Sequence, residues 1–241
     1  MNYLLTPLHS HYDFGFGATG NAFKMAADHL ESSPEAKKDN LFTAHLPINF
    51  LYRHAIELHL KSAIVIFHKR LKLSYGDQPY TAEPMVKVEG QWLPFNRVHG
   101  IAALSNYVSE LFSEHAEWLH TNTNCDWTFD NETAVRVQRR HDGDPRSTFF
   151  RYPTTKNLAA DVDKSAMQEF TPNDLGQLFA RPPEDQKKVF AMIVENDDKE
   201  FVRGYIFDDE TGRELSEALR AFSTTCDNLH AALRMEMCGG W

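Results

Sequence analysis

The chain has 241 residues, 42% of them hydrophobic and 24% charged, enough apolar material for one sizeable core. Its net charge of −9 excludes a generic nucleic-acid coat, which needs clustered Lys and Arg, but leaves room for a local basic site. The N-terminus carries no leader pattern, no apolar run could span a bilayer, and Cys125, Cys226 and Cys238 lack ligand spacing, so a cytoplasmic protein without a membrane segment is expected.

In chain order, His9-Ser10-His11-Tyr12-Asp13 opens like an HxHxD metal motif. Phe14 stands where that motif continues with another histidine, and the strand–helix alternation that would support it is missing, so no metal is expected. Gly15, Gly17 and Gly20 follow no clear strand and precede no Lys-Ser/Thr, so phosphate-loop and dinucleotide readings fail and no cofactor is expected. A helix is expected over Ala18–Glu31, capped by Thr19, with Ala22, Phe23, Ala26, Ala27 and Leu30 on one face. Residues 32–40 read as a loop. A long helix follows over Ile48–Leu71, with Pro47 at its start, where a missing N–H costs nothing. Met85–Val88 and Gln91–Phe95 flank Glu89-Gly90 as a hairpin, within an irregular insertion around residues 73–98. Helix returns over Gly100–His120 and again over Glu132–Arg140. Residues 158–181 support no single assignment. Pro183 opens a helix ending near Val194, and Phe201–Phe207 reads as a strand after the polar cluster ENDDKE. A last helix runs from Glu214 to Met237, with Thr211 and Glu214 as a capping box. Its seam of Leu215, Leu219, Phe222, Cys226, Leu229, Leu233 and Met237 suits packing in a bundle or against a second subunit. The fold expected is a single, mainly α domain over residues 1–241: a helical bundle with a small β-hairpin insertion.

The helix from Ile48 carries most of the information. Ile48, Leu51, Tyr52, Ala55, Ile56, Leu60, Ala63, Ile64 and Phe67 make a broad apolar stripe, yet Arg53, His54, Glu57, His59 and Lys61 lie within it. Charges on so apolar a helix must pair or face a site. Arg53, Glu57 and Lys61, spaced i, i+4, i+8, form a ladder in which Glu57 can bridge both cations. One reading is a charge network that pins helices together. The other is a polar site on an inner or subunit-facing surface.

LYRHAIELHLKSAI, then HGIAAL at His99–Leu104 and SxxFRYP at Ser147–Pro153, resembles a group of bacterial proteins related to the HEPN superfamily, over roughly residues 45–155. The resemblance implies a HEPN-like helical bundle. It also implies an RNA-acting role in a stress or defence system, with metal-independent ribonucleases and non-catalytic partners both represented. In the ribonuclease pattern, Arg53-His54-AIEL-His59 would supply the catalytic set together with Glu57. His59 would be general acid or base at a ribose 2′-hydroxyl, and Arg53 would stabilise the phosphorane. On an unbroken helix six residues turn through about 600°, so Arg53 and His59 would lie about 120° apart. They converge only through a helix break or a second subunit. Arg136-VQRR-His141 meets the same loose pattern.

Arg136, Arg139, Arg140, His141, Arg146 and Arg151 gather positive charge, with Phe149, Phe150 and Tyr152 interleaved. Such a segment can grip a phosphate backbone and stack a base, or form a solvated helix face and a polar turn. Arg151, between aromatic residues and ahead of Pro153, calls for a carboxylate, for which Glu57 is the natural partner. Two functions are carried forward: an RNA-acting protein of metal-independent ribonuclease type, and a non-enzymatic interaction or sensor module with a buried Arg–Glu–Lys network. The expected partners are RNA, another protein and a second copy of the chain in a homodimer.

Overall fold

Residues 5–35, 44–125, 127, 149–152, 154–155, 161–162, 164–179, 190–207 and 213–240 are described by the computed structural model. The helix expected over Glu132–Arg140 and the capping residue Thr211 lie outside them.

The first helix, α1 (Phe16–Ser32), begins because Asp13 caps it: its carboxylate accepts the N–H groups of Gly15 at 3.0 Å and Gly17 at 2.7 Å. This satisfies two donors that a helix start otherwise leaves unpaired, and sets a negative charge at the positive end of the dipole. Thr19 is therefore inside the helix rather than at its cap. Gly15 sits at φ +82°, which brings the chain round in a left-handed step open to glycine.

The hub is α2 (His45–Leu71), about 40 Å long at 1.5 Å per residue. Every residue from Ala55 to His68 is buried, charged residues included. A helix apolar all round belongs in a core, and α2 is packed by α1, by α3 (Ile101–Glu114) and by the C-terminal helix α6 (Arg213–Cys238). The Tyr52 hydroxyl, 2.8 Å from both Asp28 and Glu31, ties α2 to α1. On α6, Leu215, Leu219, Phe222, Cys226, Leu233 and Met237 are buried in the same core as α2. Of the two placements open to this seam, in a bundle or against a second subunit, it takes the first, packed on α2 within the chain.

Between α2 and α3 the expected hairpin forms from β1 (Met85–Val88) and β2 (Gln91–Pro94), paired antiparallel. Glu89 (φ +49°) and Gly90 (φ +81°) are both left-handed, as a two-residue turn matching strand twist requires. His68 holds this insertion to the hub. Its Nδ1 donates to the Leu73 carbonyl, its Nε2 accepts from the Tyr107 hydroxyl at 2.8 Å, and its ring stacks on Tyr75 and meets the edge of Trp92. The expected helix over Gly100–His120 is two: α3 ends at Glu114, His115 leaves helical geometry at φ −114° and ψ 19°, and α4 (Ala116–Asn122) follows.

A second sheet departs from expectation. β3 (Met167–Phe170), a short helix α5 (Pro172–Phe179), β4 (Phe190–Glu195) and β5 (Phe201–Phe207) follow one another, with antiparallel strand order β3-β5-β4. The helix expected to run to Val194 is therefore a strand over Phe190–Val194, its earlier part lying outside the described residues. Phe, Ile and Val suit a strand, and the tight turn at Asn196 returns β5 beside it. The Asn196 side chain accepts the N–H groups of Asp198 and Glu200. The strand expected over Phe201–Phe207 forms with those bounds. The fold is mainly α: among the described residues about 59% are helical, with two small sheets. Among the described residues, no helix is long and apolar enough to cross a membrane.

Candidate functional site on the central helix

Two polar networks form on different faces of α2. On the first, Glu57 accepts from Lys61 Nζ at 2.7 Å, one helical turn on, and from His99 Nδ1 at 3.0 Å. Lys61 also donates to the Phe95 carbonyl at 2.9 Å, and Arg53 donates to the His99 carbonyl at 3.2 Å. These carbonyls are presented by the 3-10 turn Phe95–Arg97 that leaves the hairpin, and by the extended residues before α3. Arg53, Glu57 and Lys61 are all buried, whereas the His99 side chain is 38% exposed. The ladder legible in the sequence thus exists, and its outer partner is His99, which the residue pattern did not single out as a site.

His54 faces another direction, edge-on to Phe23 and stacked on Phe50, and its burial lowers its pKa.

His59 belongs to the second network, between α1 and α6. Its Nε2 meets the Asn21 side chain at 2.8 Å, and its ring stacks on that of His230, centroids 5.5 Å apart. His230 Nδ1 is 3.0 Å from Ser62 Oγ, which in turn is 2.6 Å from Asp13 Oδ2. An ionised carboxylate only accepts, so the serine hydrogen points to Asp13 and the hydroxyl accepts from His230. The order is Asp–Ser–His, not the Ser–His–Asp order that activates a nucleophile, and Ser62 is fully buried. Burial, and the neighbouring His230, drive the His59 pKa down to about 3; burial, opposed by Asp13, brings His230 down to about 4. Both rings are held neutral.

Gly17 and Gly20 make room for these rings. A Cβ at Gly17 would run into the His230 imidazole, and one at Gly20 would sit 2.8 Å from His59. The glycines that failed as a phosphate loop therefore serve close packing. Likewise His11 is bonded to Thr6 and Asp13 to the helix start, and no group of three or more ligand side chains among the described residues could hold a metal.

Arg53 and His59 are not brought together. The helix between them is unbroken, Arg53 faces the start of α3, and His59 is sealed between α1 and α6. Arg151 does not pair with Glu57 as expected. It is exposed, with its guanidinium 5.8 Å from the centre of the Tyr152 ring, while Lys61 and His99 both meet Glu57 at Oε1. Arg136, Arg139, Arg140, His141 and Arg146 lie outside the described residues. A cavity of about 490 Å³ at the α3–α4 elbow, lined by Phe112, Leu119, Thr123, Cys125 and Trp127 among others, includes no member of either network.

Asp13, Asn21, Ser62 and His230 were not legible as a set, since 168 residues separate Ser62 from His230. Only Asp13, two residues ahead of a Gly-x-Gly helix start, carried a local signal, that of a cap. No family model, curated protein or solved structure matches the chain.

Proposed function

We propose that the chain is a non-enzymatic helical interaction module in which the Arg53–Glu57–Lys61–His99 network fixes how the hairpin and α3 sit on α2. The observation that carries this reading is mutual satisfaction: each buried charge on that face finds its partner inside the chain, and His59 is closed to any substrate. Buried networks of this kind can favour one arrangement of elements over its competitors. The test is incubation of the folded protein with several structured and single-stranded RNAs in excess chelator. Intact RNA after long incubation is the expected result, and specific cleavage would overturn the reading.

One observation favours the second reading, a HEPN-like, metal-independent ribonuclease. The His99 imidazole is partly open to solvent, and buried Glu57 holds its Nδ1, as an orienting carboxylate holds a catalytic histidine. In that reading His99, not His59, exchanges the proton of the ribose 2′-hydroxyl, through an Nε2 that must first leave the Asn96 carbonyl, 3.1 Å away. Arg151 and the basic segment Arg136–Arg140 grip the phosphates. Cleavage would then survive chelation, vanish in His99→Ala and persist in a folded His59→Gln variant.

A further inference from the structure

Strand β4 is exposed at all six of its residues, and among the described residues it pairs on one side only, with β5. Its other side presents a row of backbone donors and acceptors. Natural sheet edges of this kind are blunted by charge or proline. Phe190-Ala191-Met192-Ile193-Val194 carries neither, and the first charge is Glu195, at the bulge where the pairing ends. The opposite edge, β3, is only partly exposed, and its Phe170 is buried over Gly204. On β4, Phe190 is 60% exposed and Met192, Ile193 and Val194 each exceed 40%, with Phe201 and Val202 exposed beside them on β5. Strand alternation sets Phe190, Met192 and Val194 on one face of the sheet and Ile193 on the other, so apolar side chains flank this edge on both faces.

We propose that β4 pairs antiparallel, about a two-fold axis, with β4 of a second copy, joining the two three-stranded sheets into one of six strands. The occupant is a second copy because the strand is complementary to itself. With Met192 on the axis, Met192 faces Met192, Phe190 faces Val194 and Ala191 faces Ile193, so every pair within Phe190–Val194 is apolar. The same register sends the acidic turns, with Asp197, Asp198 and Glu200, to opposite ends of the joined sheet. At about 3.4 Å per residue they are on the order of 30 Å apart, several Debye lengths at physiological salt. A chain of net charge −9 can thus self-associate here without setting like charges together. The inference holds whether or not the module acts on RNA.

Sedimentation equilibrium of the full chain tests it, with Met192→Lys and Met192→Cys as variants at an exposed site that leaves the fold intact. The parent should dimerise in the micromolar range. Met192→Lys, which sets two ammonium groups face to face on the axis, should raise the dissociation constant at least tenfold with unchanged circular dichroism. Met192→Cys should form a reducible covalent dimer under mild oxidation that the parent does not form. A parent that stays monomeric at high micromolar concentration would overturn the proposal. So would a dimer insensitive to Met192→Lys, or one that Met192→Cys cannot cross-link.

Discussion

Replacing Glu57 by alanine removes the one carboxylate that serves two basic groups on α2 and the start of α3. The Lys61 contact dominates the loss, because both side chains are about 5% exposed or less and the ammonium would keep only the Phe95 carbonyl and, 5.8 Å from its centre, the Phe95 ring. Stranding one member of a buried pair costs about 3–5 kcal/mol. The His99 contact is partly solvated and adds under about 1 kcal/mol. The remaining carbonyl and some local relaxation offset part of this, which places the total near 3 kcal/mol, a fall of about 6–12 °C in melting temperature for a chain of this size. Urea unfolding monitored by circular dichroism measures it directly. The double variant Glu57→Ala/Lys61→Met should recover most of the loss, since the stranded cation goes with its partner. A Glu57→Ala variant that unfolds with its parent would place the carboxylate in water. A double variant no better than the single one would show that charge burial is not the source of the effect. Either result would refute the argument.

Glycine-to-alanine changes inside helices normally stabilise by about 1 kcal/mol, so Gly17→Ala gives a test in which the sign is the readout. Its Cβ meets the His230 ring, and overpacking costs about 1–3 kcal/mol, so the variant should melt below the parent; melting above it would mean the ring has room. Stability should also fall with acidity. His59, His68 and His230 have pKa values of about 3, 4 and 4 in the folded chain, set chiefly by burial, against about 6.5 when unfolded. The unfolded chain therefore binds more protons in this window. The contribution is complete above pH 6.5 and is lost as pH falls toward 4, at up to about 1.4 kcal/mol per pH unit for each ring. Melting temperatures that stay level from pH 7 to pH 5 would contradict this.

What the sequence displayed was local. The stripe and the ladder of α2 were legible because helical spacing places Arg53, Glu57 and Lys61 on one face, and the α6 seam was legible for the same reason. The spacing also foretold that Arg53 and His59 would diverge. It could not reveal that the α6 seam is satisfied by α2, since a self-complementary face and an internally packed face share one pattern. Phe190–Val194 read as a helix end because five apolar residues have no decisive period, and pairing with β5 settled the matter. Arg151 drew attention to Glu57 through its missing partner, but His99 reached that carboxylate first, from a position no residue count could place.

The Asp13 carboxylate that starts α1 is itself held by Ser62, 49 residues along the chain, and through it by His230, a further 168 residues on. The capping carboxylate of the first helix is thus buttressed by the last, so that a local cap and a long-range contact support one another. The amides of Gly15 and Gly17, although at the front of the chain, report on the back of it. Their exchange with solvent should follow opening of the whole bundle and not the fraying usual at a helix end.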